Sequence, residues 1–171
     1  MRITASLLLA VGLCIGCDSN PATTELPPNP VLSPDSPQDK PVSVEGQDAA
    51  ERYEEAIAPY IEKGRQSYPE AKSRFVAGLP AGHNFFVVTR LRDNVGTSEQ
   101  VFIAVTTIKN DRITGRIASN ILVVKGYNQG DPYSLPESEL LDWLISRPDG
   151  TEEGNLVGKF LDEWQKTHPL R

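Results

Sequence analysis

The sequence predicts an α+β domain: N-terminal helices, then a four- to five-stranded, mainly antiparallel sheet with barrel closure as an allowed variant, then a C-terminal helix. Three patterns predict it. Apolar residues recur at helical spacing through Tyr53, Ala56, Ile57, Tyr60 and Ile61. The period changes to two between His83 and Ala118. Leu156, Val157, Phe160, Leu161 and Trp164 then mark one face of a final helix.

Asp48 can cap a first helix that begins at Ala49, is kinked by Pro59 and weakens at Gly64. A second helix is expected after Ser67, with Pro69 in its first turn and Gly78 at its stop. His83 to Leu91 reads as a strand, with Phe85, Val87 and Leu91 on one face and Phe86 and Val88 on the other. Gln100 to Ile108 places Val101, Ile103 and Val105 against Phe102, Ala104 and Ile108. Strands apolar on both faces belong at the centre of a sheet. Lys109-Asn110-Asp111 is a tight hairpin connection. Arg112 to Ala118 alternates, with Ile113 and Ile117 inward. Ile121 to Val124 reads as a short fourth strand and Tyr133 to Leu135 as a fifth, across the turn-rich stretch Asn128 to Pro132. Ser138 to Ser146 fits a helical turn or a strand, since a short apolar run does not fix the period. Pro148-Asp149-Gly150 is a turn, and Asn155 is the expected cap of the last helix.

This domain, residues 45–171, follows two segments of different character. Arg2 precedes an apolar run from Ala5 to Gly16. Twelve residues reach about 18 Å as a helix, short of a bilayer core of about 30 Å, so residues 1–16 read as a signal peptide. Leu13-Cys14-Ile15-Gly16-Cys17 resembles a bacterial lipobox, with Cys17 as the acylated residue and new N-terminus. An ordinary secretory signal with an incidental cysteine is the alternative. Residues 17–44 then form a proline-rich tether that contains seven of the fourteen prolines. Sparse apolar residues without a period cannot offset the entropy of ordering it. Its role is that of a spacer, with PxxP docking as the sharper alternative. The location this implies is the extracytoplasmic or periplasmic face of a membrane, held by lipid.

Composition narrows the chemistry. A net charge of -6 argues against nucleic-acid binding. Cys14 and Cys17 are the only cysteines, so the domain itself has no thiol nucleophile and no Cys-ligated zinc. His83 reads as a loop residue and His168 as part of a polar tail. Gly154 to Phe160 imitates a phosphate loop but is one residue short, with Phe160 where a hydroxyl is needed. Glu137, Glu139 and Asp142 could hold a cation or form a solvated face. Asp142-Trp143 offers an acceptor beside a stacking face, or a turn cap beside a core aromatic. Phe160 and Trp164 read as core.

The segments Gly115 to Asn120, Val124-Lys125-Gly126, Gly130-Asp131 and Leu141-Asp142-Trp143, in this order, resemble the YegJ-like domain of bacteria. The likeness runs from about residue 56 to 160. The resemblance implies a small α+β domain of unassigned function, with no catalytic residue to carry over. Asn120, Asp131, Asp142 and Trp143 are the candidate binding residues, and no metal or cofactor is expected. The expected function is a non-enzymatic, membrane-tethered module that binds an envelope protein or cell-wall component. The alternative is an envelope hydrolase that uses carboxylates such as Asp131, Asp142 or Glu139.

Overall fold

The computed structural model describes residues 47–167; the signal, Cys17, the tether and His168 lie outside the described residues. Helix α1 (Gln47–Ala77) is followed by β1 (Asn84–Arg92), β2 (Ser98–Lys109), β3 (Arg112–Ile117) and β4 (Pro132–Pro136). A single 3-10 turn (Glu137–Glu139) leads to β5 (Asp142–Ser146), β6 (Glu152–Gly154) and α2 (Leu156–Thr167). The six strands form one antiparallel sheet in the order β4-β3-β2-β1-β5-β6. It is open, not a barrel; the expected strand at 121–124 does not form, while Asp142–Ser146 and Glu152–Gly154 both join the sheet, which makes six strands.

The expected pair of N-terminal helices is one helix of 31 residues that runs through Pro59 and Pro69. Each proline removes one backbone bond. The buried stripe Ile57, Gly64, Tyr68 and Ala71 supplies the packing that holds the helix together across both. Gly64 is therefore mid-helix and buried, not a frayed end.

Strands β1 and β2 are central and apolar on both faces, as their pattern predicts. Phe85, Val87, Leu91, Val101, Ile103 and Val105 join the larger core with Tyr68 and Ala71 of α1. Phe86 and Ala104 join Leu144 and Ala118 in a smaller cluster on the opposite face. Ile108 departs from its expected side and packs on the larger core. The cause is an extra residue in β2: the register passes from Val105↔Gly115 to Thr107↔Thr114, leaving Thr106 over. Such a bulge reverses which face every later residue points to. Thr106 spends its hydroxyl on the Thr114 carbonyl at 3.0 Å. The hairpin between β2 and β3 turns on Asn110 and Asp111, both left-handed (φ 50° and 58°), as a two-residue type I′ turn requires.

The expected strand at Ile121–Val124 is instead a loop. Its amides are taken up by a side chain, not a neighbouring strand. Leu122, Val123 and Val124 all donate to the Glu99 carboxylate at 3.0–3.2 Å. The Ser138–Ser146 stretch resolves into a short turn and then β5, which pairs with β1 through Val88↔Asp142 to Asn84↔Ser146.

Candidate functional site

The Asp142-Trp143 pair lies where three elements meet. Strand β5 carries it, α1 crosses above it, and the N-terminus of α2 points at it. Asp142 is wholly buried. Its Oδ1 accepts the Trp143 amide at 2.8 Å, and its Oδ2 accepts the Val157 amide at 2.8 Å. Helix α2 is thus capped by a carboxylate from a strand. The expected cap, Asn155, cannot serve: it is itself left-handed (φ 52°), and its buried Oδ1 finds no hydrogen-bond partner. Its amide nitrogen donates to Glu152 instead, at 3.0 Å. Burial pushes the Asp142 carboxyl up to about 6, against the opposing pull of the Val157, Trp143 and Leu156 amides and the Lys159 charge.

Trp143 is 5% exposed and packs with Phe85 in the larger core. Its indole N–H donates to Ser67 Oγ of α1 at 2.9 Å. Beside it opens a cleft of about 270 Å³, bordered by Ser67, Arg74, Trp143, Glu153, Gly154 and Leu156. Gly154 is required here. It is left-handed (φ 78°), and a side chain on it would run into the Trp143 carbonyl and ring. Arg74 of α1 grips Glu153 with two bonds of 2.6 and 2.9 Å, and Arg147 adds a third at 3.0 Å. The hydrogen bond from Arg74 holds the Glu153 carboxyl below its usual range.

The other expected site residues lie elsewhere. Asn120 is exposed in the loop after β3. Asp131 closes the 128–131 turn, accepting the Asn128 amide at 2.8 Å. It precedes β4, so β3, β2 and β1 lie between it and β5. Four strand spacings are about 19 Å, too far for Asp131 and Asp142 to act on one bond. Glu137 is paired with Lys72 at 2.6 Å, and Glu139 is exposed. The acidic group is therefore dispersed. No three His, Cys, Asp or Glu side chains among the described residues could share a metal ion. His83 sits in the turn before β1, its Nδ1 3.3 Å from the Ala81 carbonyl. Lys159 is on α2, with its ammonium on the Gly154 carbonyl at 2.7 Å, so no phosphate loop forms. Phe160 and Trp164 are half-buried: Phe160 stacks on Tyr60 of α1, Trp164 meets Tyr53 edge-on, and neither enters the core.

Sequence reasoning missed Gly64, Ser67, Arg74 and Glu153. Ser67 and Trp143 are 76 residues apart, and Arg74 and Glu153 are 79 apart. Only Gly64 left a signal, as a glycine amid a helical apolar stripe that marks close approach of another element.

A family profile described as an uncharacterized protein conserved in bacteria (DUF2314) matches residues 55–166. No curated protein and no solved structure matches the chain significantly.

Proposed function

The chain belongs to the DUF2314 family of bacterial proteins, and from that premise we propose that it is a lipid-anchored envelope protein whose domain binds a partner without transforming it. The YegJ-like motifs at 115–120, 124–126, 130–131 and 141–143 all fall inside the matched stretch. The observation that carries the anchor is Cys17, which ends the apolar run Ala5–Gly16 in a lipobox-like setting and precedes a proline-rich spacer. Two acyl chains make membrane residence stable. Cys17→Ser is expected to abolish incorporation of labelled palmitate and release the protein from, or stall it at, the membrane. Equal labelling of wild type and variant would refute the anchor.

Binding without catalysis is supported by how the acids are used. The wholly buried Asp142 is committed to capping α2, and Asp131 lies at the far side of the sheet. Of the four candidate residues, only Trp143 borders the cleft, so partner binding is assigned there. Partner capture by the full chain should weaken in Arg74→Gln, which opens the Glu153 clasp, with little change in thermal stability. Unchanged capture would remove the cleft from the reading.

A further inference from the structure

Three large apolar side chains stand out in solvent at one end of the sheet: Val95 (77% exposed), Leu122 (60%) and Val123 (52%). They sit on two loops that are locked together. Asp93 accepts the amides of Val95 and Thr97 in its own turn at 3.0 and 2.9 Å, and reaches the Lys125 amide of the other loop at 3.4 Å. Glu99 holds the amides of Leu122, Val123 and Val124. Val124 is buried and Ile121 packs on the core, so the two residues between them are turned outward. The exposure is built into the loop and does not come from fraying.

The chain outside the described residues joins this same end. Helix α1 runs antiparallel to β1: Phe75 stacks on Phe85 at 5.1 Å near the start of the strand, and Glu54 pairs with Arg90 at 2.7 Å near its end. The N-terminus of α1, where residues 1–46 attach, therefore lies toward the turn between β1 and β2 that carries Val95. If Cys17 anchors the chain, this is the end of the domain to which the anchored tether leads.

We propose that Val95, Leu122 and Val123 insert into the surface of the membrane that holds the protein, docking the domain by its anchored end. Each buried methylene adds about 0.8 kcal/mol, so three aliphatic side chains give weak, reversible docking, effective only for a domain already held nearby. Arg92 and Lys125, both exposed beside these loops, can reach lipid phosphates with their long side chains. Asp48, Glu51 and Glu55 of α1 stand at the same end. Docking is accordingly carried by apolar insertion and not by net charge. A protein interface is the less fitting occupant, since a stable one needs about 800 Å² on each partner and twenty or more residues.

The inference rests on the proposed anchor, and the test separates the two. The full chain, with Cys14→Ser and Cys17 kept as the proposed acylated anchor, is produced in bacterial membranes with one added cysteine at Leu122→Cys, Val95→Cys or Val76→Cys, each labelled with an environment-sensitive fluorophore. Val76 is 66% exposed at the opposite end of α1 and serves as the control. Probes at 122 and 95 should shift to the blue and be quenched by a lipid-borne quencher, while the probe at 76 is not. Equal spectra at all three positions would overturn the proposal. A blue shift at 122 and 95 that lipid-borne quencher cannot reach would also overturn it, in favour of a protein cover. Failure of the anchor reads out elsewhere, as palmitate labelling unaffected by Cys17→Ser. Leu122→Ser combined with Val123→Ser should leave the melting temperature unchanged, so a loss of docking in that variant is not a loss of fold.

Discussion

Gly64→Ala puts two well-known effects in opposition. In an exposed helix interior the change stabilises by about 1 kcal/mol, because alanine is the better helix former. At position 64 the added Cβ would stand 2.7 Å from Asp142 Oδ1 and 3.1 Å from the Leu141 carbonyl. Neither neighbour can yield cheaply. Asp142 is wholly buried and bonded to the Val157 amide, and the Leu141 amide is itself bonded to the Val88 carbonyl at 2.8 Å. Relief requires either a turn of the carboxylate, which breaks the cap on α2, or a shift of α1, which stretches the Trp143–Ser67 and Arg65–Leu140 bonds of 2.9 and 2.8 Å. A lost bond to a charged group costs about 1.5–3 kcal/mol, and overpacking costs about 1–3 kcal/mol. The clash outweighs the propensity gain, and a net loss of about 1–2 kcal/mol is expected. With a urea slope of about 1–2 kcal/mol/M, the unfolding midpoint should fall by about 1 M. A double-mutant cycle with Asp142→Ala should show coupling above about 0.5 kcal/mol, since removing the carboxylate removes the clash. A midpoint that rises in Gly64→Ala would refute the close approach of α1 to β5.

Trp143→Ala should cost about 3–5 kcal/mol in the same urea titration, the range for deleting a buried large aromatic; an unchanged midpoint would place the indole on the surface. Asp142→Asn should alter the pH dependence of stability with a definite sign. The folded-state carboxyl, near 6, lies above its ordinary value of 3.8, so between these values the native state holds a proton that the unfolded state has lost. Wild-type stability from this group therefore falls as pH rises through that window, by about 3 kcal/mol in total, and the loss is absent in the asparagine variant. A difference between the two proteins that stays flat from pH 4 to 7 would show that Asp142 does not titrate there. Glu99→Gln removes one acceptor oxygen from the 122–124 loop, and hydrogen exchange at those amides should quicken while exchange in β1 and β2 stays slow; uniform exchange would mean that the carboxylate does not hold the loop.

What could be read from the sequence depended on the range of the forces involved. The two faces of β1 and β2 were legible because alternation is a local property of the chain. The bulge at Thr106 was not, since threonine suits either side of a strand and only the pairing with β3 reveals the extra residue. Ile121–Val124 has strand-forming side chains, and its fate was decided by Glu99, more than twenty residues earlier. Pro59 and Pro69 gave correct local signals of weakness that burial against the sheet overrode. Within the candidate site, Asp142 and Trp143 were visible as an unusual pair. Their partners Gly64, Ser67 and Val157 become neighbours only once β5 lies beside β1. The Arg74–Glu153 clasp is likewise a product of strand order.

The openness of the sheet raises the matter of self-association. An uncovered strand edge is a row of free donors and acceptors that another copy can extend. Here both margins are blunt. Strand β4 begins and ends in proline, at Pro132 and Pro136, and so lacks a donor at each end. Strand β6 has only three residues, and its last, Gly154, turns left-handed straight out of the sheet. Neither margin is long enough to template a growing ribbon. This is protection against stacking edge to edge, obtained without closing the sheet into a barrel.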